Sequence, residues 1–234
     1  MRGIELKRYS HWLLTTVVAA VVVVAGARLI TLSVHERAAQ MRSAAQSAVV
    51  RHARLIEAQL QALTDRARAA APDLAIPRRG AFWMTATGTL LRAPAADVAV
   101  ARALASEWAS SGAGARAAAG IFGPVRYGSQ WFIAAQAPTT LPAAKGSPAA
   151  DARSVAYENL DALLLRGRFG RLVNEGYDFE LSQREPVSHE PRVLLSSRPG
   201  TLAEAMTSAI HPPGAPLSAS PSAYLELAVR PRSG

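Results

Sequence analysis

The sequence contains no cysteine. A disulfide, a zinc–thiolate site and a thiol nucleophile are therefore excluded. A bacterial periplasm permits disulfides but does not require them, so it stays open as a location. Lysine is almost missing too. Lys7 and Lys145 are the only two, so arginine carries nearly all of the net charge of +9. A basic balance can mean nucleic acid or anionic membrane. Here the arginines are scattered, and a domain carried across a membrane meets no genome, so no nucleic-acid partner is expected. His11, His35, His52, His189 and His211 stand far apart, with no H-x-x-x-H or other metal spacing. No G-x-S-x-G, P-loop or dinucleotide-binding glycine pattern occurs, and Gly112-Ala113-Gly114 lies in the wrong context for a nucleotide. No enzyme activity, metal or cofactor is expected.

Charge is absent from one long stretch. No Asp, Glu, Lys or Arg occurs from Tyr9 to Ala27, and Val17–Ala27 is Val, Ala and one Gly. About 20 apolar residues cross a bilayer as a helix, and a helix satisfies its own backbone groups inside lipid. Tyr9 and Trp12 sit where interfacial aromatics sit, beside Lys7 and Arg8. Arg28 is placed to snorkel. Residues 12–34 are read as one transmembrane helix. A cleaved signal peptide is the rival, with Arg2, Lys7 and Arg8 ahead of the run and Ala25-Gly26-Ala27 resembling a cleavage site. Leu29, Ile30 and Leu32 carry the run past that site. Flanking charge does not fix the orientation, because Arg28, Arg37 and Arg42 balance the N-terminal cations. Residues 1–11 are taken as a cytoplasmic tail, since the long remainder is the folded part.

Residues 35–71 read as one long helix, free of Gly and Pro until Pro72. Val34, Ala38, Met41, Ala45, Ala48, His52 and Leu55 step by alternating fours and threes, a weak heptad seam. A second stripe, Ile56, Leu60, Leu63, Ala67 and Ala70, drifts to a neighbouring face. The expectation is a homodimer through residues 35–71, with the far end docked on the following domain.

Residues 72–234 read as an α/β domain. Strands are expected at Ala81–Thr85, Leu90–Arg92, Ile121–Val125, Gln130–Gln136, Ser154–Tyr157, Tyr177–Leu181, Arg192–Ser197 and Tyr224–Val229. Helices are expected at Ala95–Ser110, Leu160–Val173 and Leu202–Ile210, with Gly176 as a left-handed exit from the second. Pro138–Ala152 reads as a surface loop. The fold class is α+β: a mainly antiparallel sheet of about five or six strands with flanking helices.

Two groups of side chains invite chemistry. Asp178 and Glu180 share one strand face about 7 Å apart. Paired carboxylates can do acid–base work, but on an alternating strand the simpler expectation is a solvent face. Trp83, Trp131 and Tyr157 are aromatics on or beside strands, and Arg126, Arg166 and Arg168 are cations near them. An apolar pocket lined by Trp83, Arg126, Trp131, Tyr157 and Arg166 would suit a small carboxylate ligand.

Tyr157–Leu181, reading YENLDALLLRGRFGRLVNEGYDFEL, resembles the extracytoplasmic input region of bacterial membrane sensors. These are the CHASE-like and related domains ahead of diguanylate cyclases, cyclic-di-GMP phosphodiesterases and histidine kinases. The motifs that carry the resemblance are Leu160-Asp161-Ala162, Gly176-Tyr177-Asp178-Phe179 and Leu227-Ala228-Val229-Arg230-Pro231. The resemblance implies a PAS/CHASE-like periplasmic sensor domain on the inner membrane, a parallel dimer and a link to cyclic-di-GMP signalling. It also implies a second span and an output domain beyond Gly234, whose catalytic motifs this sequence does not contain. The alternative is a single-span subunit resembling the inner-membrane platform proteins of type II secretion or type IV pili.

Overall fold

The computed structural model describes residues 2–69, 77–110, 120–141, 150–184, 191–198, 205–211 and 225–232. The chain divides into two units, Met1–Ala45 and Gln46–Gly234. Helix α1 spans Arg2–Ala69, so the apolar run and the expected long helix belong to one element. From Val17 to Val34 the large apolar side chains are exposed: Val23 is 70% exposed and Leu29 68%. One helix is thus long and apolar enough to cross a membrane. The side chains of Lys7, Arg8, Tyr9 and Trp12 lie outside the described set.

The second unit is α+β with two antiparallel sheets. The first holds β1 (Ala81–Thr85), β2 (Leu90–Arg92), β3 (Gly120–Tyr127), β4 (Gln130–Leu141) and β5 (Ala150–Asn159), in the order β2-β1-β5-β4-β3. The second holds β6 (Tyr177–Arg184), β7 (Pro191–Ser196), β8 (Met206–Ile210) and β9 (Leu225–Pro231), in the order β7-β6-β9-β8. The expectation of one sheet of five or six strands is corrected to two sheets. Alternation reveals strands one by one; which strands pair is decided by contacts distant in sequence.

Each face of the first sheet buries a different set. Opposed residues in antiparallel strands share a face, so Phe82 and Val155 face one way and Trp83 and Ser154 the other. On the first face lies α2 (Val98–Ser110), preceded by a short 3-10 turn at Ala95–Asp97. Its Ala101, Leu104, Ala105 and Trp108 pack on Phe82, Met84, Phe122 and Val155. On the other face Ile56, Leu60, Leu63 and Ala67 of α1 join Ile133, Ala135 and Ala156. The same core takes in Leu181, Leu227 and Val229 of the second sheet. The second stripe read from the sequence is therefore the docking face of α1. Ala48 and His52 of the heptad seam are buried in this unit too, His52 with its ring 5.3 Å from Phe169. Val34 and Met41 are exposed.

Three further expectations change. Pro138–Ala152 is not all loop: Pro138 pairs with Arg153 and Leu141 with Ala150, extending a β-hairpin. Composition favoured a loop, but cross-strand pairing overrides it here. Leu160–Val173 is two helices, α3 (Leu160–Arg166) and α4 (Phe169–Asn174). Gly167 caps the first and Arg168 turns at φ 59°, a left-handed conformation that ends a helix. The expected helix Leu202–Ile210 is strand β8 from Met206, drawn into the ladder with β9. Gly176 is the left-handed exit expected of it, at φ +86°. A turn expected from sequence at Gln183–Pro191 is narrower, since Gln183 and Arg184 belong to β6 and Pro191 to β7. Pro72 and Tyr224 lie outside the described residues.

Candidate functional site

The five residues read as a pocket do not meet. Tyr157 points to the α2 face of the first sheet and Trp83 to the opposite face. Trp83 opposes Ser154, which opposes Ala137; Trp131 is six residues along β4 from there. At strand rise that is about 20 Å. Arg126 and Trp131 are neighbours in register across β3 and β4. The cation over the Trp131 ring is Arg192 of the second sheet, at 4.6 Å. Arg126 instead donates through Nε to the carbonyl of Gly128 at 3.3 Å. Arg166, on α3, is ion-paired with Glu158.

What the fold does assemble is a set of buried polar groups. Glu158 is one. It is 8% exposed and sits on the α1 side of β5. One carboxylate oxygen accepts from Arg66 of α1 at 2.6 Å, and the other meets Arg166. One acid thus joins α1, the first sheet and α3. On the same sheet face Trp83 Nε1 and Ser154 Oγ, opposed in register, are both buried, and among the described residues neither has a hydrogen-bond partner.

Tyr157 belongs to a second group. Its hydroxyl lies beside the Asp97 carboxylate, and Asp97 Oδ2 accepts from the Gly80 amide at 2.9 Å. Burial, then the Asp97 carboxylate, push the Tyr157 hydroxyl above its ordinary value, while Arg79 pulls it down.

The expected solvent face of β6 is the next correction. Asp178 and Glu180 are both buried. β6 lies between β7 and β9, so neighbouring side chains screen it from both sides; alternation tells which residues share a face, not whether that face is open. Asp178 accepts from Arg232 Nε at 2.9 Å. Burial raises the Glu180 carboxyl above its ordinary value.

The last group lies under α2. Arg153 is almost fully buried and donates through Nη1 to Gln136 Oε1 at 2.9 Å. Its Cζ stands 5.9 Å from the Trp108 ring centroid, and Trp108 stacks edge-on against Phe122 at 5.2 Å. Trp108 Nε1 donates to the Ala86 carbonyl at 3.2 Å, which fixes the indole. A guanidinium carries five N–H donors and cannot be neutralised by losing a proton. Held in plane against an aromatic wall, it can grip a carboxylate with two parallel hydrogen bonds. Sequence reading missed this residue because it left Arg153 between a loop ending at Ala152 and a strand beginning at Ser154. The signal was present: Arg153, Val155 and Tyr157 alternate on the same face, as do Phe132, Ala134 and Gln136.

Among the described residues no group of His, Asp and Glu is arranged to hold a metal ion. Compared with known proteins, the chain matches no family model, no curated protein and no solved structure.

Proposed function

We propose that this protein is a membrane-anchored sensory input domain, held by residues 12–34 in the inner membrane with its α+β unit in the periplasm. One observation carries the reading. The helix with the bare apolar run also contributes Ile56, Leu60, Leu63 and Ala67 to the core of the α+β unit, and Arg66 ties it to the sheet through Glu158. A change in the sheet therefore has a packed and ion-paired route to the helix that leads to the apolar run. The resemblance to CHASE-like input regions supports the same reading, and on it alone rest the PAS/CHASE-like class and the link to cyclic-di-GMP signalling. The sensory unit would act as a homodimer through residues 35–71, along the exposed part around Met41. The ligand would be a small molecule, and the output would come from a partner or a domain outside these residues.

The test begins with the full chain in nanodiscs. Carbonate extraction should leave it in the membrane fraction, and protease added to intact spheroplasts should digest the α+β unit. A thermal-shift screen with carboxylates, amino acids and purines should then give a saturable rise in Tm for one class, because a ligand of the folded form stabilises it. No rise for any class, together with stable co-purification with another envelope protein, would favour the assembly-platform alternative.

A further inference from the structure

The deep charges of the α+β unit are Asp97, Arg153, Glu158, Asp178 and Glu180. Asp97 accepts from the Gly80 amide, and burial pushes the Glu180 carboxyl toward its neutral form, an escape that a guanidinium does not have. Glu158 is matched by Arg66 and Arg166, and Asp178 by Arg232. Arg153 is different. It is 7% exposed, its acceptor is the neutral amide of Gln136, and among the described residues no carboxylate lies within ion-pair distance of it. The Trp108 ring gives its plane a π face but no negative charge. A buried charge without a counter-charge is costly to the fold. The stretches after α2 and between β4 and β5 offer none: residues 111–119 and 142–149 contain no Asp or Glu, but do contain Arg116 and Lys145.

We propose that Arg153 is the receptor for a small organic carboxylate, with Gln136 and Trp108 as its positioning residues; this rests on the sensory reading above. Gln136 fixes the plane of the guanidinium, and the remaining N–H groups form the fork that a carboxylate fits. The body of the ligand lies against the aromatic pair of Trp108 and Phe122. The strand that carries Arg153 also carries Glu158, five residues on, whose carboxylate holds Arg66 of α1. Binding at Arg153 therefore loads the strand that grips the helix.

The experiment uses the full chain in nanodiscs. Acetate, malonate, succinate and benzoate are compared with their amides, with inorganic phosphate and with adenine, by thermal shift and tryptophan fluorescence. At least one carboxylate should raise Tm saturably, and its amide should not. Arg153→Met should melt cooperatively and lose the shift. Arg153→Lys, which keeps the charge but not the fork, should weaken binding by roughly tenfold or more. If the Met variant does not fold, the Lys variant and Gln136→Ala give the same reading. A carboxylate shift unchanged in these variants, a shift confined to adenine, or an equal response to phosphate would overturn the Arg153 site and leave the sensory reading standing. No shift for any compound would overturn the Arg153 site, and the wider screen above then decides the sensory reading. Equal destabilisation by Arg153→Met and Asp151→Asn, with no carboxylate response, would identify Asp151 as an internal counter-charge and overturn the site alone.

Discussion

Arg66 Nη2 donates to Glu158 Oε2 at 2.6 Å, between residues 92 positions apart in the chain. The acid is buried and both of its arginines are half-exposed. Solvent screening reduces what each pair contributes, but removing the acid leaves two guanidinium groups without their shared partner. Glu158→Gln should lower stability by about 1–3 kcal/mol. Urea denaturation checks this: the midpoint should fall with the slope unchanged. An unchanged midpoint would mean that α1 is held by packing alone.

Gly88 turns the β1–β2 hairpin at φ +87° beneath α2. A Cβ there would stand 2.7 Å from the Ala105 carbonyl oxygen and 2.9 Å from Ala109 Cβ. Both backbone strain and a clash with helix backbone follow. Gly88→Ala should cost about 1–3 kcal/mol by thermal or urea unfolding. A neutral result would show that the hairpin can move away from α2.

Leu60 is fully buried between α1 and the sheets, whereas Leu165 is 78% exposed on α3. Leu60→Ala should cost about 2–5 kcal/mol. Leu165→Ala should stay within about 0.5 kcal/mol of the parent. Paired denaturation curves of the two variants measure how deeply α1 belongs to the fold. Similar midpoints for both would contradict the packing described for α1.

Glu180 is raised above its ordinary value of 4.5 by burial. The folded state then holds this proton more tightly than the unfolded chain. Its contribution is present below the unfolded value and is lost as pH rises through the folded one. Glu180→Gln keeps the shape and removes the titration. The variant should match the parent near about pH 4 and be the more stable near about pH 7. A Gln variant less stable at neutral pH would show that the ionised carboxylate has a stabilising partner.

Tyr157 titrates above its ordinary value of 10.0, so the same sign applies at the alkaline end. Its stabilisation is present below that pH and declines above it, as the unfolded chain ionises first. Tyr157→Phe removes the hydroxyl that Asp97 faces and should cost about 1 kcal/mol at neutral pH. The loss should shrink as pH climbs past the ordinary tyrosine value. Denaturation midpoints across an alkaline series measure it, and a constant difference would argue against the raised hydroxyl.

Much of this protein was legible from local sequence. The apolar run, the Gly- and Pro-free helix after it, and the stripe of Ile56, Leu60, Leu63 and Ala67 are periodic signals that one element carries alone. The exit at Gly176 follows from backbone freedom at that residue. The strand Tyr177–Leu181 was visible too, but the burial of its charged face was not. Asp178 is enclosed because β6 became a central strand and Arg232, 54 positions away, came to meet it. The same reason separates Trp83 from Tyr157 and places Arg153 against Trp108: a strand shows which residues share a side, and only its neighbours decide what that side meets. Local propensity and periodicity determined the elements. Long-range pairing, which has no local signal, decided which charges are buried and with whom.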